Sequence, residues 1–209
     1  MEELTTGRET PAIPTYDRGL VAAKLRRWER FLEGYALPSW EELPDFGLYM
    51  DQVVALLSRY LDFIPVIEDS DKAITVSAVN NYVRLKVMPA PVKKKYGRSH
   101  LAYLLMICIL KQNLSIAYVQ KLIPMGLTED EVRIRYEAFV QKHKETSLFF
   151  IQQVLQSAEA VLRPEGETAD VDGLITAFAI YTSLSRILTE KLLNLQGKVQ
   201  EPAESTPAV

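Results

Sequence analysis

The chain has 209 residues, of which 48% are apolar and 24% charged, and it carries a formal net charge of −3. That balance excludes a fibrous, collagen-like or wholly disordered protein and allows one ordinary core or two small ones. The longest unbroken apolar run, LAYLLMICIL from Leu101 to Leu110, is about half of a bilayer span and is flanked by Arg98 and Lys111, so it predicts a buried helix and no membrane partner.

The opening MEELTTGRETP has acids where a secretory leader has bases, and no apolar stretch behind them, which predicts a cytoplasmic protein. Residues 1–14 read as a flexible arm. Residues 15–45 hold an N-terminal helix and a connector. The helix runs from Tyr16 to Leu32, turns Val21, Leu25, Trp28 and Leu32 to one face, and ends near Gly34. SWEE, Ser39 to Glu42, has the spacing of a capping box and opens a short turn.

In residues 46–125, LYMDQVVALLSRYLDFI predicts a second amphipathic helix with Met50, Val53, Val54, Leu57 and Leu61 inward, closed by Pro65. A third helix starts at Thr75, whose hydroxyl can cap it, and sets Val76, Val79, Val83 and Val87 on one stripe. Ser77, Asn80, Asn81 and Arg84 fall away from that stripe. Pro89 and Pro91 stop the helix, and VKKKYG emerges as a short extended or hairpin-like projection before Ser99 caps the apolar helix.

Over residues 126–196, the TEDE capping box at Thr128 to Glu131 opens a long helix to about Arg163. Its Val132, Tyr136, Phe139, His143, Phe150, Val154, Ala158 and Val161 share one side. Asp170 caps a last helix on which Leu174, Phe178, Tyr181, Leu188, Leu192 and Leu195 recur at a nearly seven-residue interval. The two form an antiparallel helical hairpin. Its apolar stripes must pack on the rest of the monomer or on a second copy, and a homodimer is the expected outlet. Residues 197–209 read as a disordered tail.

Charge is distributed unevenly. From Lys72 to Thr128 there are nine bases and no acid, so 15 bases stand against all 27 acids elsewhere, a balance of −12. A cationic segment in an anionic surround suits a polyanion, though a lysine-rich solvated loop has the same composition. Two adjacent asparagines inside a helix are harder to explain as plain surface, because asparagine is a poor helix former. Amides pair with adenine and arginine with guanine or phosphate, so a face bearing Ser77, Asn80, Asn81 and Arg84 suits a major groove. Lys86, Lys93, Lys94, Lys95, Tyr96 and Arg98 then extend the contact along the sugar-phosphate backbone.

Enzymatic chemistry finds little support. His100 and His143 have no Cys or His partner at ligand spacing, so neither a metal nor a cofactor is expected. Cys108, the single cysteine, lies inside the apolar run and reads as a packed side chain. No phosphate loop or dinucleotide fingerprint occurs.

The order VNNYVRLKVMPAPVKKKY followed by SHLAYLLMICILKQNLSIAYVQKLI resembles the DNA-binding domain of MerR-type bacterial regulators. Tyr82, Val87 with Met88, Pro91 and Tyr96 match its recognition helix and wing. Leu101, Leu104, Ile107 and Leu110 match the next helix, and Ser115, Ile116, Val119 and Leu122 the short helix after it. Three features depart from that pattern: Asn80 stands where those regulators carry arginine, Lys86 where they carry glycine, and about eight residues after Phe63 lengthen the link between the first two helices. With the upstream LPDFGLYMDQVVALL, the chain is closer to an uncharacterised bacterial family, a domain of unknown function with a MerR-like core. The resemblance implies a mainly all-α fold: a winged helix-turn-helix over 46–125 with an added N-terminal helix and a C-terminal antiparallel hairpin.

Together these readings predict a sequence-specific double-stranded DNA-binding protein, a transcriptional regulator that reads its site as a dimer. The alternative is a non-enzymatic adaptor that presents the same basic face to an acidic protein or to RNA. The sequence specifies no small-molecule effector.

Overall fold

A computed structural model describes residues 16–64, 73–163 and 170–198. Its helices are α1 (Arg18–Gly34), α2 (Met50–Tyr60), α3 (Val76–Arg84), α4 (Arg98–Leu110), α5 (Ile116–Leu122), α6 (Glu129–Ser157), α7 (Glu159–Leu162) and α8 (Val171–Leu193). Among the described residues, β structure is limited to two isolated antiparallel bridges, Leu48 with Tyr96 and Val92 with Lys95. The protein is therefore mainly helical, as its periodicity predicts. The expected arm at 1–14, the closure by Pro65 and the tail beyond Lys198 lie outside the described residues.

The centre is α4. It is apolar on every side, and a helix of that kind has to be surrounded; Leu101 through Cys108 are all buried. Around it pack Val53 and Leu57 of α2, Val79 and Tyr82 of α3, Val119 of α5, and Val132 and Tyr136 of α6, with Trp40 and Leu43 from the connector. Burial pushes the Cys108 thiol up to about 12, so the cysteine is a neutral packed side chain.

Polar tips inside this core find partners. The Tyr103 hydroxyl donates to the Pro124 carbonyl at 2.8 Å, and the Tyr136 hydroxyl donates to that of Pro38 at 2.7 Å. The expected turn at Ser39 to Glu42 forms, the Glu42 carboxylate accepting from the Ser39 N–H at 2.7 Å. Its carboxyl is held below the usual range by that bond.

A second, smaller cluster joins α1 to the far half of α6 through Leu32, Ile151 and Val154. Trp28 meets Phe150 edge to face at 5.6 Å. The Arg18 guanidinium donates to the carbonyls of Ala160, Val161 and Arg163. α6 opens with the expected box, in which the Thr128 N–H donates to Glu131 at 2.8 Å and the Glu131 N–H to the Thr128 hydroxyl at 3.3 Å. It does not run unbroken to Arg163: the helix stops at Ser157, and after Ala158 the single turn of α7 follows.

Other expectations need correction. Val76 is 42% exposed and Tyr82 is buried in its place, because α3 begins at Val76 and its first turn lies beyond the core's edge. The stripe that packs is Val79, Tyr82 and Val83, at i, i+3 and i+4. α4 is capped at Gly97, two residues before the expected cap at Ser99. His100 folds back there, its Nδ1 accepting from the Gly97 N–H at 3.1 Å, so that Nε2 is left to donate to the Ala90 carbonyl at 3.0 Å.

The largest departure concerns α8. Only Val171 is buried; Leu174 and Phe178 are half-buried, and Tyr181, Leu188, Leu192 and Leu195 face outward. Although Leu101–Leu110 is the longest unbroken apolar run, α8 is long and apolar enough to cross a membrane by length and composition alone, an 18-residue window of it having a mean hydropathy of 1.3.

His143 packs among Tyr35, Phe63 and Phe139, with ring centroids 6.0, 6.1 and 6.4 Å away. Desolvation lowers its pKa below the ordinary 6.5. The unfolded chain therefore binds the proton more readily, and stability should fall as the pH drops below about 6.5, levelling off below the folded-state pKa. Urea midpoints of the parent and of His143→Phe between pH 5 and 8 check this: the parent should lose stability toward pH 5, and the variant should lose less.

Candidate nucleic-acid interface

The candidate face is formed by α3, the turn that ends it, and the hairpin that follows. Thr75 caps α3, its hydroxyl accepting from the Ala78 N–H at 3.1 Å. With Val79 and Tyr82 anchored, Ser77, Asn80 and Arg84 stand exposed and Asn81 is half-buried. Arg84 Nη2 donates to Asn81 Oδ1 at 2.7 Å. That bond orients both side chains and leaves the Asn81 amide group and the other guanidinium N–H groups available.

The helix ends before the prolines. Lys86 adopts φ 54°, the Lys86 N–H donates to the Val83 carbonyl at 3.0 Å, and the Val87 N–H donates to that of Tyr82 at 2.9 Å. These are the two bonds of a Schellman cap, with lysine at the position where glycine is usual. Gln120 of α5 donates to the Leu85 carbonyl at 2.7 Å and fixes the cap to the core.

Lys93 and Lys94 have φ 51° and 63°, while Val92 and Lys95 exchange N–H···O bonds of 3.0 and 2.9 Å. Two central residues with positive φ inside such a pair define a type I′ hairpin, a turn that favours Asn-Gly. Its base is held by the reciprocal 2.9 Å bonds between Leu48 and Tyr96. Gly47 allows this approach, since a Cβ there would lie 2.9 Å from Lys95 Cβ.

Lys86, Lys93, Lys94 and Lys95 are all exposed. Lys95 is partly engaged, its Nζ lying 5.4 Å from the centre of the Tyr49 ring. Two of the predicted contact residues are engaged by the fold itself. Tyr96 is 3% exposed, stacks edge-on against His100 at 5.6 Å, and serves as the hairpin's anchor. Arg98 turns inward, donating to the Leu43 carbonyl at 3.0 Å, with its guanidinium 5.7 Å from the Trp40 ring and 3.6 Å from Glu41. Both were expected at the surface because they border the lysine run; the core claims them first.

Gly47, Tyr49, His100 and Gln120 position this face and were not singled out from sequence. Only the tertiary contact reveals Gly47 and Gln120. The Tyr49 cap, whose N–H donates to Gln52 Oε1 at 2.9 Å, carries a readable spacing. A cavity of about 890 Å³ lies between α1 and the end of α2, and no candidate contact residue lines it.

Replacing Lys86 by glycine should raise stability by about 1 kcal/mol, since an L side chain is disfavoured in the left-handed region. Denaturant unfolding of Lys86→Gly measures it. If Lys86 also contacts phosphate, the same variant binds duplex more weakly, so stability and affinity move in opposite directions.

What the geometry defines is a mainly helical domain with a basic, lysine-tipped face. Residues 38–142 match the family described as Domain of unknown function (DUF1836), which is half of the chain, and the protein belongs to that family. The matched stretch includes α2 to α5 and the first half of α6 and contains all ten predicted contact residues; α1 and α8 lie outside it. Neither curated proteins nor solved structures returned a match.

Proposed function

We propose that this protein is a sequence-specific double-stranded DNA-binding regulator of transcription acting in the cytoplasm, built on a MerR-like winged helix-turn-helix. In this reading α2 and α3 form the helix-turn-helix pair, α3 enters the major groove, and the Val92–Lys95 hairpin is the wing over the sugar-phosphate backbone.

One observation carries the reading. The non-glycine residues with positive φ among those described are Lys86, Lys93 and Lys94, all exposed and all within the acid-free segment. Glycine or asparagine would hold these turns at lower energy. Strained backbone of this kind collects where side-chain chemistry is used, and a lysine adds charge to a rigid turn. Asn80, Asn81 and Arg84 beside them supply groups suited to base edges.

The test is binding to random duplex across a salt series, followed by selection of bound sequences from a random duplex library. A steep salt slope and one enriched site are expected. Salt-insensitive binding to duplex, or tighter binding to RNA or an acidic peptide than to any enriched duplex, would move the basic face to the adaptor reading.

A further inference from the structure

Helix α8 leaves its apolar side uncovered. Ile180, Tyr181, Leu184, Ile187 and Leu188 are 45% to 61% exposed. At 100° per residue they fall, with Ala177, within about 120° of the circumference, on the side opposite Val171 and Phe178. Between Asp172 and Arg186 the helix has no charged residue.

Three of its hydroxyls are satisfied internally. Thr182 donates to the Phe178 carbonyl at 2.9 Å, Ser183 to that of Ala179 at 3.1 Å, and Thr189 to that of Ser185 at 2.9 Å. A hydroxyl bonded back to a carbonyl of its own helix can enter apolar surroundings without stranding its donor. Large apolar side chains exposed side by side along one helix face mark an interaction surface.

Charge at the two ends selects the occupant. Asp170 and Asp172 make the start of α8 acidic. At its end Arg186 is paired with Glu190 at 3.7 Å, so Lys191 and Lys198 set a net positive charge. A second copy laid antiparallel brings each acidic start beside a basic end and opposes the two helix dipoles; a parallel copy would set Lys191 beside Lys191. We propose that α8 is the seam of a symmetric homodimer, with the two α8 helices antiparallel and crossing near Leu184. This is independent of what the basic face binds.

Light scattering of the intact chain at micromolar concentration should give twice the chain mass. Leu184→Glu combined with Leu188→Glu should weaken association by about 100-fold or more, since it sets like charges face to face, while far-ultraviolet dichroism stays unchanged. Orientation is read by mixing Ala177→Cys chains with Lys191→Cys chains under mild oxidation. The antiparallel seam joins 177 of one copy to 191 of the other, and the native Cys108 is buried and does not compete. A monomeric mass with no 177–191 cross-link overturns the proposal, as do 177–177 self-links, which indicate a parallel pair. Co-sedimentation of the chain with phosphatidylcholine vesicles in place of dimer formation overturns it as well, assigning the stripe to lipid.

Discussion

Changing Lys93, Lys94 and Lys95 together to alanine is expected to lower the slope of log affinity against log salt by up to about three units. Each lysine on an exposed turn can neutralise about one phosphate and release its counterion. At 0.1 M salt, three such contacts correspond to a loss of up to about 500-fold, shared by every duplex alike. The contributions should be unequal. Lys93 and Lys94 occupy the hairpin tip, whereas Lys95 lies against the Tyr49 ring, so Lys95→Ala alone should have the smallest effect. Arg84→Ala and Asn81→Ala should behave differently, costing roughly 1 to 3 kcal/mol per direct base contact on the preferred sequence and far less on random DNA. Because Arg84 donates to Asn81, the two substitutions should also be non-additive. Titrations on the selected and a scrambled duplex at several salt concentrations measure both effects. Parent-like binding by all of these variants at matched folding would remove the DNA reading.

The largest effect on stability is expected at Tyr136. Its side chain is fully buried, packs against Trp40 at 6.2 Å, and donates to the Pro38 carbonyl, joining α6 to a connector 98 positions away. Tyr136→Ala removes an aromatic ring from a packed core and should cost about 3 to 5 kcal/mol, a large share of the stability of an ordinary domain. Tyr136→Phe keeps the ring and strands one carbonyl, which should cost about 1 to 3 kcal/mol. Urea unfolding of the two variants separates packing from hydrogen bonding. An alanine variant as stable as the parent would mean that α6 does not belong to the same cooperative unit as α4.

Much of the helical frame was legible in local chemistry. Thr75, Thr128 and Asp170 each cap the helix their position announced, and LAYLLMICIL could only be an enclosed helix. The likeness to a domain-of-unknown-function family was carried by residues that lie inside the matched stretch. The fates of Tyr96 and Arg98 were not legible. Both lie beside a lysine run, and nothing within a few residues shows that Leu48 will pair with one and Leu43 accept from the other.

By itself the sequence determined where α3, α6 and α8 begin, which stretch must be enclosed and where positive charge concentrates, because caps, periodicity and charge act over a few residues. Tertiary structure decided which of the basic and aromatic side chains stay free, that Lys86, Lys93 and Lys94 hold left-handed turns, and that α8 keeps an apolar side uncovered. Those outcomes depend on partners tens of residues away. A lysine enters a glycine-favoured conformation only where the flanking segments are already pinned, and an apolar stripe stays exposed where none of the described elements packs over it.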